Sequence, residues 1–316
     1  MKSSSQTARL SRSLGLVALL ATAATAQAQT AFGVDATGAL FSFNLSSPGT
    51  VNSIGPLGFT PEAIDFRPGT STLYAFDVTG TTARLYTVNT STGAATPISA
   101  GFATSGVAPG TYDFSDASSY AFDFNPTTQQ ALPDTSIRIR LVGNDGTNLR
   151  LHSGTGGIAA VDGSINGVSG ATVTGAAYTR SDFASVGAVP TGTALYYIDS
   201  ANNSLLTTAG LGPNSGTVTP VGALGTDIGI DIGFDILTGG STNTAYLVDT
   251  TGANIASFYT VNLTTGTATS LGTIARDFTG GFAIDQLSAI PEPSSFAALA
   301  GALGLGFAAT RRRRAA

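Results

Sequence analysis

Large apolar residues alternate with small or polar ones through the body of this chain. That period of two predicts strands rather than helices. One run recurs almost unchanged: Leu85-Tyr86-Thr87-Val88-Asn89-Thr90-Ser91-Thr92-Gly93-Ala94-Ala95-Thr96 returns as Phe258-Tyr259-Thr260-Val261-Asn262-Leu263-Thr264-Thr265-Gly266-Thr267-Ala268-Thr269. Weaker copies begin at Leu40, Leu149 and Leu195. Each reads as a β-hairpin. The Asn or Asp closes the first strand by bonding turn backbone, and Thr-Gly supplies the positive-φ corner.

A second phrase precedes most of these hairpins. It is Ala63-Ile64-Asp65-Phe66, then Ala121-Phe122-Asp123-Phe124, then Gly233-Phe234-Asp235-Ile236, then Ala283-Ile284-Asp285. Gly175-Ala176-Ala177-Tyr178 takes the same place without an acid. The spacing of roughly 50 to 60 residues is that of a propeller blade with some loop insertions. Units begin near Ile64, Phe122, Ala176 and Phe234, and a fifth at Phe282 has no hairpin after it. Residues 32–57 have hairpins and no leading strand. The two fragments complete each other. The expected fold is therefore all-β: a five-bladed β-propeller-like repeat, closed by pairing of N- and C-terminal strands. In it the strand at 282–285 joins Phe32–Asp35, Leu40–Asn44 and Val51–Ile54. Such closure removes exposed sheet edges. Another blade number, a β-sandwich or a solenoid of the same hairpins are the alternatives.

The two ends follow other rules. Positive charges in residues 1–12, an apolar run from Leu14 to Ala21 and Ala26-Gln27-Ala28 have the order of a secretory signal, with cleavage after Ala28 through the small residues Ala26 and Ala28. Its apolar core is short for a spanning helix. At the other end stand Pro291-Glu292-Pro293, an uncharged stretch over 294–310, and Arg311, Arg312, Arg313 and Arg314. That stretch predicts a C-terminal transmembrane helix with the arginines on the cytoplasmic side. The chain divides into a signal peptide (1–28), a repeat domain (29–290) and a tail (291–316).

Composition narrows the function. The chain has 316 residues, no cysteine and one histidine, His152. Disulfides, thiolate chemistry and histidine-rich metal sites are excluded. Segment 29–290 holds seven basic residues against 18 acidic ones, a balance of −11, and its arginines are scattered. That excludes phosphate-led binding of nucleic acid. A Ser-His-Asp triad would need His152, on the strand Leu149–Leu151, and no G-x-S-x-G elbow occurs in the body. Asn144-Asp145-Gly146-Thr147-Asn148 lacks the closing glutamate of a calcium loop and reads as a hairpin turn. Gly154-Thr155-Gly156-Gly157 is a hairpin corner rather than a nucleotide loop. Asp65, Asp123, Asp235 and Asp285 recur at one position of successive blades, and two roles fit them. They fix blade-to-blade register through backbone amides, the role that repetition favours, or they bind Ca²⁺ around the central channel.

The tail resembles the PEP-CTERM sorting signal of Gram-negative bacteria. The resemblance covers the last 26 residues and rests on the three-part order of Pro291-Glu292-Pro293, apolar helix and arginine cluster. It implies processing by signal peptidase and then by an exosortase, a membrane cysteine protease. It also implies passage through the inner membrane and a destination at the cell surface or in an exopolysaccharide or biofilm matrix. The body is similar to an uncharacterised bacterial extracytoplasmic domain family, on Ile64-Asp65-Phe66-Arg67-Pro68, Phe122-Asp123-Phe124-Asn125-Pro126, Asn148-Leu149-Arg150-Leu151, Gly175-Ala176-Ala177-Tyr178-Thr179 and the Thr-Gly repeats. That resemblance spans roughly residues 31–285 and implies a fold without an activity. The expectation is an exported, non-enzymatic binding or structural protein. An exported propeller-type hydrolase or lyase acting on extracellular polysaccharide is the alternative.

Overall fold

The alternating runs pair as antiparallel sheets in the computed structural model, which describes residues 29–80, 82–98, 102–103, 114, 116–128, 138–180, 192–239, 242–279 and 281–286. The first blade is built from both ends of the body: β1 (Thr30–Val34), β2 (Ala39–Asn44), β3 (Ser47–Pro56) and β21 (Phe282–Ile284), in the order β21-β1-β2-β3. The second holds β4 (Ala63–Phe66), β5 (Leu73–Thr79), β6 (Thr82–Val88) and β7 (Ala95–Pro97), with β8 (Phe102–Ala103) also paired to β6. The third holds β9 (Tyr120–Phe124), β10 (Arg138–Gly143), β11 (Asn148–His152) and β12 (Ile158–Val161). The fourth holds β13 (Val173–Tyr178), β14 (Leu195–Asp199), β15 (Ser204–Thr208) and β16 (Val218–Ala223). The fifth holds β17 (Ile232–Gly239), β18 (Thr242–Gly252), β19 (Ile255–Val261) and β20 (Ala268–Ile274). The inner strands touch in a cycle, β21 to β4 to β9 to β13 to β17 and back to β21. The protein is a five-bladed β-propeller, and the expected end-to-end closure is present: Ala31 pairs with Ile284 and Gly33 with Phe282.

The core is divided among the gaps between blades. Each of the five apolar clusters fills one gap. Between the fifth and first blades, Phe43 meets Phe258 edge-on at 5.6 Å and Phe41 meets Phe278 at 4.9 Å. Between the second and third, Phe76 stacks on Phe122 at 6.1 Å. Aromatic pairs of this kind add about 0.5–1.5 kcal/mol each beyond burial. The gap between the third and fourth blades also carries a buried cation. Arg140 is 1% exposed and donates at 2.7 Å to Asn148 Oδ1, to Asp162 Oδ2 and to Asn214 Oδ1 in the turn before β16. Nothing in the alternation of β10 marks that burial.

The repeated Thr-Gly corner has a second duty. Asn89 Oδ1 accepts the amides of Ser91 and Thr92, and Asn262 Oδ1 those of Thr264 and Thr265. Gly93 and Gly266 sit at φ 78° and 81°. Each corner presses on the outer strand of the preceding blade. A Cβ on Gly93 would lie 2.4 Å from Gly55 O, and one on Gly266 would lie 2.3 Å from Gly222 O. The corner is thus an inter-blade contact as well as a turn. One weaker copy belongs elsewhere: Leu195–Asp199 is the second strand of its blade, not the third. Both hairpins of a blade alternate and end on a turn-bonding side chain, so the pattern does not distinguish them.

Outer strands are edges, and four blades blunt theirs with register shifts, at Leu40/Phe41, Arg150/Leu151, Leu205/Leu206 and Phe258/Tyr259. Bulges twist an edge away from further pairing. Gly266→Ala is expected to lower unfolding free energy by about 1–3 kcal/mol, because it combines a positive φ with a backbone clash. Gly210→Ala, at a position open to space, serves as the control. Chemical denaturation of both variants checks the difference.

Candidate functional site at the propeller axis

Five inner strands converge on the axis, and the residues where they meet must be small. Ala63, Ala121, Gly175, Gly233 and Gly281 occupy that level. A Cβ on Gly233 would lie 2.2 Å from Phe282 Cβ, and one on Gly281, at φ 96°, would lie 2.6 Å from Ile64 N. This level fixes the register of the last strand. Gly281-Phe282-Ala283-Ile284 is the counterpart of Gly233-Phe234-Asp235-Ile236.

The aspartates stand two residues further along. Asp65 Oδ1 accepts the amide of the next residue, Phe66, at 2.7 Å, and its Oδ2 accepts that of Phe124 in the third blade at 2.8 Å. Asp235 repeats this with Ile236 at 2.6 Å and Ile284 of the first blade at 2.7 Å. Asp123 accepts the Tyr178 amide of the fourth blade. Each carboxylate thus laces one blade to the next. Asp65, Asp123 and Asp235 also come together, with one oxygen of each within 4.8 Å of the others.

Asp285 does not join them. Its alignment with Asp65 is corrected by the ring: Ala283 occupies the carboxylate position, and Asp285 lies two residues beyond. The literal match of Ala283-Ile284-Asp285 to Ala63-Ile64-Asp65 hid this. The requirement for a small residue at Gly281 reveals it.

Burial pushes all three carboxyls towards weaker acidity. Asp65 is raised well above the usual aspartate range by burial and by the charge of Asp235, against the pull of the Phe124 and Phe66 amides. Asp123 is raised well above it by burial and by Asp65 and Asp235, with the Tyr178 amide opposing. Asp235 is raised by burial to about 7, against the Ile284 and Ile236 amides. Among the described residues, no ion pair neutralises any of the three.

A cavity of about 20 Å³ opens beside this cluster, at the N-terminal ends of the inner strands. Its lining includes Glu62, Ile64, Phe122, Thr174, Phe234 and Phe282. The residues of the small level and the one after it line it, directly before the aspartates in three blades. It has room for about one water. Glu62, at the rim, is a weakened acid through burial first and then the charges of Asp77 and Asp231. In the sequence Glu62 stands as the body's one glutamate, without a second to face it across a glycosidase cleft, and Thr174 carries no signal because it does not recur in the repeat.

The other expected site residues lie apart. His152 ends β11, opposite Arg138, away from the axis. Asp145 caps its hairpin by accepting the Thr147 amide, as expected of a turn. Ala26, Ala28, Pro291, Glu292, Pro293, the segment 294–310 and Arg311 to Arg314 lie outside the described residues. Among the described residues, no helix is long and apolar enough to cross a membrane.

The profile of a family described as a domain of unknown function, DUF4394, matches residues 61–283. The chain belongs to the DUF4394 family. The match takes in four complete blades and part of the closing strand. The DUF4394 chain matches no curated protein. Among solved structures it is similar to a protein from Lactobacillus plantarum, at 14% identity and TM-score 0.34, over 78% of this chain and 67% of that one. It is also similar to a functionally unknown protein from Desulfotomaculum acetoxidans DSM 771, at 12% identity and TM-score 0.37, over 80% and 84%. Likenesses this loose say nothing of activity.

The raised acids make a pH prediction with a definite sign. The fold holds protons that the unfolded chain releases between the ordinary aspartate value of 3.8 and about 7. Stability is therefore greatest at the acid end of this window and falls as pH rises through it. Thermal unfolding in chelator is expected to show a midpoint that declines from about pH 5 to about pH 8, worth on the order of a few kcal/mol. Asp123→Asn should flatten that slope.

Proposed function

We propose that this DUF4394 protein is an exported, surface-sorted, non-enzymatic binding or structural module of the cell envelope or exopolysaccharide matrix. One observation carries the reading. The ring completes itself immediately before the sorting motif: β21 ends at Ile284, Gln286 is tied to Thr238 N and Ile236 O, and Pro291 follows within five residues. A protease acting at Pro291-Glu292-Pro293 would release a propeller that has lost no strand. The signal at residues 1–28 gives the same topology independently. The axial aspartates support a scaffold role, since Asp65 and Asp235 accept amides of neighbouring blades.

One feature favours the alternative of a polysaccharide hydrolase or lyase. Glu62 is a half-buried carboxyl of raised pKa at a cavity rim, the environment of a general acid.

Two experiments test these readings. Replacement of Pro291, Glu292 and Pro293 by alanine is expected to leave the unprocessed chain in the inner membrane. Unchanged mature size and location would sink the sorting assignment. A glycan array together with a glycoside-cleavage screen is expected to show retention of exopolysaccharide without turnover. Turnover abolished by Glu62→Gln would replace the binding module with an enzyme.

A further inference from the structure

The lacing at the axis is incomplete at one atom. Where an aspartate blade follows a blade without one, the aspartate keeps its own next amide: Asp65 has Phe66 N, after the Ala283 blade, and Asp235 has Ile236 N, after the Ala177 blade. Asp123 follows directly after Asp65, and its next amide, Phe124 N, is already donated to Asp65 Oδ2. Asp123 Oδ1 is left buried and without a hydrogen-bond partner, in a residue only 4% exposed. It belongs to the carboxyl that meets Asp65 and Asp235 within 4.8 Å. A buried charge-bearing oxygen without a partner is costly, and in a native fold it points to a group that fills the place.

The chemistry of that group follows from its neighbours. Asp65 and Asp235 each accept two amides, which fix both oxygens of each carboxyl in place. Each oxygen keeps a second lone pair free for coordination. The donors are all carboxylate oxygens, a set that suits hard divalent cations. The three oxygens lie near enough to reach one ion together. Ca²⁺, with its flexible shell at about 2.3–2.6 Å, suits a site whose geometry is set by the strands, whereas Mg²⁺ demands a near-ideal octahedron. The cavity at the strand ends supplies an approach, with Glu62 in its lining and the charges of Asp77 and Asp231 near enough to act on Glu62. Thr174, on its wall, holds a second buried oxygen without a partner, Oγ1.

We propose that Asp65, Asp123 and Asp235 form an axial Ca²⁺ site that ties together the second, third and fifth blades. The ion offsets the mutual repulsion of the three carboxylates and gives Asp123 Oδ1 a partner. The site is independent of where the protein is sorted.

The test uses the full-length chain, stripped with EDTA and titrated with CaCl₂ near pH 8. One ion should bind per chain by calorimetry. The thermal midpoint should rise by about 5–10 °C at a hundredfold excess over Kd. Asp123→Asn removes a buried charge, so in EDTA it should unfold at or above the wild-type temperature while losing the Ca²⁺-dependent rise. Asp285→Asn, outside the cluster, should keep the full rise. The proposal fails if the wild type shows neither binding nor a shift, which would leave the carboxyls balanced by protons. It fails equally if Asp123→Asn retains the full shift or Asp285→Asn abolishes it. An equal shift from MgCl₂ at the same concentration would overturn the assignment to calcium.

Discussion

The convergence of five strands on one axis is the constraint on which this protein depends. Backbones approach there so closely that only Ala or Gly fits at the first level, and a Cβ at Gly233 would overlap Phe282. Inner-strand amides at the next level face no further strand of their own sheet. Asp65, Asp123 and Asp235 satisfy those amides across the gaps. The small residue and the acid of each phrase are therefore two answers to one geometric problem. The first allows the strands to meet, and the second bonds them where they do.

Further out, the gaps widen and the means of filling them change. Phenylalanines dominate between the fifth and first blades and between the second and third. Between the third and fourth, a buried guanidinium with three oxygen partners stands beside a smaller apolar cluster. At the rim two of the gaps are held by backbone against backbone, through Gly93 and Gly266 of the Thr-Gly corners. Cohesion thus passes from charge at the centre, through apolar packing, to close backbone contact at the edge.

Much of this architecture is legible in the sequence because it repeats. Alternation marks the strands, Asn89 and Asn262 mark the turns, and the incomplete units at the two ends predict their own pairing. Legibility fails where a residue's role depends on a neighbour distant in sequence. Asp285 looks like Asp65 in its tripeptide, yet its register is decided by Gly281 against Ile64. The burial of Arg140 depends on Asn214, supplied by the next blade. The meeting of Asp65, Asp123 and Asp235 depends on where three blades place one atom each, and spacing along a chain does not encode that. Glu62 and Thr174 line the axial cavity without belonging to the repeat.

The pairing of β1 with β21 also governs the order of events in folding. Of the described strands, Thr30–Val34 emerges first in synthesis, and its inner partner, Phe282–Ile284, emerges last. Until then β1 presents an unpaired backbone edge, and Phe43 and Phe258 lack the Phe282 ring that packs on both. Contacts between such distant segments cannot reward the chain before the loop-closure entropy has been met. Blades two to five can assemble in succession, but the circle is cooperative only at its final strand. The fold thus keeps time with its own delivery, reaching completion as the residues just before Pro291 become free to pair.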